Sequence, residues 1–160
     1  MKARLNYAAA SPGAVTAMMS LESFVRNSSK LEPSLIELVK MRASQINGCA
    51  YCIDMHSKDA RAEGETEQRL YALSAWREAP FFTAREQAAL AWTESLTLLA
   101  TDHVPDAVFE EVRPHFNDEE LVNLTLVVAT INAWNRFGVS FRSVPGDYKP
   151  VHTRARKETQ

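Results

Sequence analysis

Apolar residues recur three and four positions apart along most of this chain, and no run alternates β-branched with polar residues. A period near 3.6 builds one-faced helices, whereas a half-buried strand needs a period of two. The chain therefore has to fold from helices. Five glycines in 160 residues leave few turns, and the punctuation that exists is local. Ser11-Pro12 suits an N-cap and N1 pair, and a second helix starts near Pro33. Asn47-Gly48 interrupts that helix, and a third runs from about Cys49 to Gly64, a C′ residue. Thr66 caps a short helix that Pro80 stops, and Pro105 opens another. Thr83 with Glu86, and Asn117 with Glu120, have capping-box spacing. The second box opens the longest helix, which reaches about Phe141. The pattern predicts an all-α, single-domain bundle of about seven helices over residues 1–142. A polar, basic segment follows over 143–160. Its stretch from Lys149 to Lys157 reads as a solvated tail or an arm to a neighbouring subunit.

Composition narrows the partners. A hydrophobic fraction of 46% and a charged fraction of 24% belong to an ordinary globular chain. A net charge of −2 favours neither nucleic acid nor an anionic membrane surface. The most apolar stretch, Leu121 to Val128, is broken by Asn123 and Thr125 and is too short to span a bilayer. Lys2 and Arg4 have no apolar segment behind them, unlike a signal peptide. These features predict a cytoplasmic protein. In that reducing compartment two cysteines three apart point to redox work or metal binding rather than a disulfide scaffold.

The chemistry is concentrated in Cys49-Ala50-Tyr51-Cys52-Ile53-Asp54-Met55-His56. On a helix, residues three and four apart share a face, so Cys52 lies between Cys49 and His56 on one stripe. Cys49 falls in the first turn, where free amides and the helix dipole favour a thiolate. Cys52 lies one turn in, and His56 can take its proton. A thiol peroxidase needs these parts: a thiolate that becomes a sulfenic acid, a second thiol that condenses with it, and an acid–base group for the leaving alkoxide. Glu37 lies twelve residues before Cys49. On one straight helix it would be roughly 18 Å away. If the Asn47-Gly48 break turns the chain back, Glu37 can reach His56 and orient the imidazole. Among Leu35, Ile36, Leu38 and Val39, its carboxylate is either buried with a partner or on the helix's wet side.

Glu37, Cys49, Cys52 and His56, in the spacing Glu-x(11)-Cys-x-x-Cys-x-x-x-His, resemble the AhpD-like alkyl hydroperoxidases of the carboxymuconolactone decarboxylase superfamily. Ile46-Asn47-Gly48 and Asn132-Ala133-Trp134-Asn135-Arg136 resemble that group as well. The resemblance extends over about residues 15–142. It implies a peroxidatic Cys52, a resolving Cys49 and a proton relay of His56 and Glu37. It also implies a cofactor-free and metal-free enzyme that reduces alkyl hydroperoxides or hydrogen peroxide. The group assembles as trimers or hexamers, and a lipoylated or thioredoxin-like dithiol protein would be the reductant. Tyr51 stands where the best-known member has a histidine, which makes it a possible auxiliary residue. The superfamily's lactone decarboxylases generally lack the cysteine pair.

Other readings of the same residues exist. Structural zinc needs four ligands, and a fourth beside Cys49, Cys52 and His56 would have to be His103, His115 or His152. Haem attachment is excluded in its usual form because Ile53 follows Cys52. Trp76, Trp92 and Trp134 read as core. Asn132, Asn135 and Arg136 read as packing and hydrogen-bonding devices, and Asp54 and Asp59 as solvated. Two competing functions are a dithiol electron-transfer adaptor, with Cys49 the more exposed and exchanging thiol, and a lyase on a lactone-like metabolite that uses Glu37 and His56.

Overall fold

The computed structural model describes residues 2–150, and every regular element among them is helical. The helices are α1 (Tyr7–Ala10), α2 (Pro12–Asn27), α3 (Pro33–Ile46), α4 (Ala50–Ala62) and α5 (Glu67–Ala72). They continue with α6 (Ala84–Thr97), α7 (Leu99–Asp102), α8 (Asp106–Val112) and α9 (Asp118–Phe141). Short 3₁₀ turns follow α5 and α8. The single-turn helices α1 and α7 exceed the seven that periodicity predicts, because four residues are too few to display a period. No helix among the described residues is long and apolar enough to cross a membrane.

The caps act largely as their chemistry requires. Both capping boxes form, with Thr83 and Asn117 accepting from the amides of Glu86 and Glu120 and each glutamate reaching back. Thr66 accepts from the Arg69 amide. Ser11 occupies the N-cap of α2 but makes no side-chain cap bond; at φ −144° and ψ 78° it departs from usual cap geometry.

Helix α3 is the central element. Nine of its fourteen residues are buried, including Glu37, Lys40 and Ser44, because it packs against α4, α6 and α9 on different sides. One apolar cluster joins Val25, Leu35, Val39, Trp92, Leu124 and Val128. A second, around Leu38, Leu73, Trp76 and Leu90, fills the space on the α4–α6 side. A third is small and joins Ala43, Cys49, Cys52 and Ile131.

Lys40 is fully buried and bonds Glu22 of α2. Burial alone would raise the Glu22 carboxyl; Lys40 and Arg26 outweigh it and bring it from 4.5 down to about 2. A carboxyl lowered by folding stabilises the fold fully above its unfolded value and loses that contribution as pH falls towards its folded one. The urea midpoint should therefore drop as pH falls from about 4.5 towards 2, with a shallower drop in Glu22→Gln. Equal slopes in the two proteins would refute this assignment.

Candidate active site

The site begins at the break between α3 and α4. Gly48 lies in the left-handed region at φ +65°, where a side chain would be strained. The Cys49 amide donates to the Ser44 carbonyl at 3.0 Å, and the Gly48 amide to that of Gln45 at 3.3 Å. These are the two bonds of a Schellman stop. Its final residue, Cys49, is also the N-cap of α4, with an extended backbone. One short turn thus ends α3, starts α4 and folds the two against each other. Glu37 is carried back to His56, and Nδ1 of His56 lies 2.8 Å from Glu37 Oε2. Both side chains are buried, so of the two settings open to Glu37 the buried, partnered one holds.

Cys49 and Cys52 occupy the N-cap and N3 positions of α4, the two that a capping box joins. Their sulfurs lie 2.7 Å apart and both residues are buried. Cys49 makes no N-cap hydrogen bond. Its thiolate is nonetheless favoured by the Cys52 thiol first, and also by the amides of Cys52 and Tyr51 and the Asn135 side chain, which together outweigh burial and bring it to about 7. The Cys52 thiol is pushed well up, by its bond to Cys49, by burial and by the charge on Cys49. The pair releases one proton near 7 and holds the other.

Helix α9 closes the site. The Asn135 amide donates to Ser44 Oγ at 3.0 Å, and Asn47 donates to Asn132 and Asn135 at 3.0 and 2.9 Å. These asparagines lock the α3–α4 turn against α9, as hydrogen-bonding devices should. At Gly138 a Cβ would stand 2.7 Å from Cys49 Sγ and 3.6 Å from Cys52 Sγ. The sulfurs fit only because this residue has no side chain. A glycine in the interior of a helical run is the signal by which its role could have been read from sequence.

A cavity of about 500 Å³ opens beside the pair. Cys52 and His56 are among its lining side chains, and Cys49 is not. Its walls include Tyr7, Met19, Tyr51, Met55, Trp134 and Tyr148, with Glu22, Arg26 and Asp59 as charged groups. Burial pushes the Tyr51 phenol up, which keeps it a neutral donor. Trp76 and Trp92 are core, whereas Trp134 is half-buried and faces the cavity.

Asp59 departs most from the sequence reading. It is buried, not solvated: the Tyr148 hydroxyl donates to its two oxygens at 2.8 and 3.0 Å, and Arg26 lies 3.5 Å away. The spacing of Cys52, His56 and Asp59, four and then three residues, places Asp59 on the functional stripe, a signal available from sequence. Asp54 is half-buried and bonds Lys58.

Glu37, His56 and Asp59 offer ligand atoms within 4.8 Å of one another, the one such group among the described residues. Arg26 lies 3.9 Å from Glu37 and 3.5 Å from Asp59, so a cation of the protein already lies beside both carboxylates. The zinc alternative of two cysteines, His56 and a further histidine finds neither His103 nor His115 in such a group; His152 lies outside the described residues.

Residues 12–95 match the sequence profile of the carboxymuconolactone decarboxylase family. The chain belongs to that family. Within this superfamily it is an AhpD-like member. It is 44% identical to the uncharacterized protein YdfG of Bacillus subtilis over 140 residues, 88% of this chain and 95% of that one. A crystal structure from Agrobacterium tumefaciens, of a protein of unknown function proposed to be the antioxidant defence protein AhpD, superposes with a TM-score of 0.86 at 48% identity. The match covers 94% of this chain and 99% of that one. An uncharacterized peroxidase-related protein of Ralstonia eutropha with an alkylhydroperoxidase AhpD core has the same fold, at a TM-score of 0.77 and 21% identity, over 88% of this chain and 75% of that one.

Proposed function

We propose that this family member is a two-cysteine thiol peroxidase, and the observation that carries the reading is a sulfur pair 2.7 Å apart with Cys52 lining a cavity beside His56. The Cys52 thiolate attacks one peroxide oxygen and the O–O bond breaks. The leaving alkoxide takes a proton from His56, whose ring Glu37 orients. Cys52 is then a sulfenic acid. The Cys49 thiol attacks its sulfur, water leaves, and the disulfide closes. An external dithiol, lipoylated or thioredoxin-like, returns two hydrogens and is itself oxidised. Assembly as a trimer or hexamer belongs to the same proposal.

At rest the thiolate is favoured on Cys49 and the proton is held on Cys52, so attack by Cys52 requires a proton shift within the pair. The pair shares one proton at neutral pH, so moving it from Cys52 to Cys49 places the thiolate on the sulfur that lines the cavity. Both cysteines are nearly inaccessible, at 1% and 3% exposure, which corrects the expectation of a more exposed Cys49. A small peroxide can enter the cavity and meet Cys52, and the external dithiol has to reach the pair by the same opening.

Mass spectrometry before and after one equivalent of cumene hydroperoxide tests the proposal. The expected product is a protein lighter by two hydrogens with Cys49 linked to Cys52. Its rate of formation should rise with pH through about 7, where the pair loses its first proton. Thiols that remain free after hydroperoxide treatment would refute the reading.

A further inference from the structure

Tyr148 and Asp59 have no part in the thiol, imidazole and carboxylate set, yet both line its cavity. Tyr148 reaches Asp59 across 89 residues of sequence. Its segment is seated on α4: Lys58 donates to the carbonyls of Gly146 and Tyr148 at 3.0 and 3.2 Å, and Asp54 accepts from the Gly146 amide at 3.1 Å. The phenol donates to both Asp59 oxygens. Burial, with the bond to Asp59, raises its ionisation far above the ordinary value, so it remains a donor throughout the working range.

The relay touches this pair through one cation. Arg26 Nη2 lies 3.5 Å from Asp59 and 3.9 Å from Glu37 Oε1, while its Nε bonds Glu22 at 2.8 Å. A single guanidinium thus serves three carboxylates, with Lys40 sharing Glu22. A buried carboxylate short of donors draws the nearest cation strongly. The phenol supplies Asp59 with a donor, which leaves Arg26 shared with Glu37.

We infer that Tyr148 is a positioning residue of the relay: by donating to Asp59 it keeps Arg26 beside Glu37 and so preserves the Glu37 carboxylate that orients His56. Its kinetic consequence rests on the peroxidase reading; its electrostatic consequence does not. The groups that face Glu37 are Lys40 on its own helix, Glu22 and Arg26 from α2, His56 and Asp59 from α4, and Tyr148 beyond Asp59. Losing the phenolic hydroxyl lets Asp59 pull Arg26 away, and Glu37 then holds its proton more readily.

The test uses the full chain with Tyr148→Phe, which keeps the ring and the backbone contacts to Lys58 and Asp54. The ¹³C carboxyl signal of Glu37, identified by its absence in Glu37→Gln, reports the charge directly. Its midpoint should rise by about 0.5–1 pH unit in Tyr148→Phe. Glu37 lies below the usual carboxylate range and stays ionised at neutral pH in both proteins, so the rate of thiol oxidation by cumene hydroperoxide should fall about threefold to tenfold only in acid below that midpoint, the range that midpoint change corresponds to there. In an Asp59→Asn background, where no second carboxylate competes for Arg26, adding Tyr148→Phe should change neither quantity. A structural role alone would not produce that dependence. An unmoved midpoint overturns the inference, as does an equal movement in the Asp59→Asn background. A wild-type rate below the Glu37 midpoint in a Tyr148→Phe protein that still consumes hydroperoxide also overturns it. If the wild-type protein leaves hydroperoxide intact, the peroxidase reading fails, and the carboxyl midpoint still decides the role of Tyr148.

Discussion

With Cys52 replaced by serine, the protein should leave hydroperoxide untouched; with Cys49 replaced, it should be oxidised once and then stop. The two cysteines are three residues apart and equally buried, so their difference comes from surroundings. Cys52 lines the cavity beside His56, and its sulfur is the one an entering peroxide meets. Its removal takes away the proposed nucleophile, a change that costs roughly a thousandfold or more when a residue acts at the heart of a catalytic unit. Cys49 lies against Gly138 of α9 and in the proposed cycle closes the disulfide. In Cys49→Ser the sulfenic acid on Cys52 has no thiol to condense with and should accumulate. It is detected as one added oxygen by mass spectrometry, or as a dimedone adduct. Multiple turnovers in either variant, or an oxidised sulfur found on Cys49 in Cys52→Ser, would reverse the assigned roles.

The second large effect is expected at Gly138. In an ordinary exposed helix, glycine to alanine is favourable by about 1 kcal/mol, because alanine loses less backbone entropy. Here the added methyl would sit 2.7 Å from the Cys49 sulfur. Relief requires either that α9 retreat from α4 or that the sulfur rotate away from Cys52. Overpacking of this kind costs about 1–3 kcal/mol, which matches or exceeds the helix gain. Gly138→Ala should therefore lower the urea midpoint and, more diagnostically, slow closure of the disulfide after hydroperoxide addition. The sulfenic acid would become visible in the two-cysteine protein. A Gly138→Ala protein that is more stable and closes its disulfide at the normal rate would show that the contact carries no functional weight.

Both results bear on how the site is built. The α3–α4 turn places four functional groups with very little chain: Gly48 supplies the left-handed residue, Cys49 ends one helix and begins the next, and the helical period aligns Cys52 and His56. Local hydrogen bonding within a few residues accounts for all of this, and so it is legible in the order of amino acids. The same holds for both capping boxes, for the Thr66 cap and for the long final helix. Where local rules mislead, a distant contact is responsible. Asp59 resembles a solvated helix carboxylate until Tyr148 is laid over it.

What the order of residues establishes is therefore an all-helical chain with two thiols, an imidazole and a carboxylate in a pattern that a reversal at Asn47-Gly48 can gather. Periodicity and caps depend on neighbours within four or five positions, so they survive without knowledge of the rest. Tertiary packing alone decides that Cys52 rather than Cys49 lines the cavity, that α9 approaches closely enough to require Gly138, and that one arginine is divided among three carboxylates. Those outcomes depend on distances between helices far apart in the chain. Such distances are set by side-chain volumes and by the need to pair every buried charge.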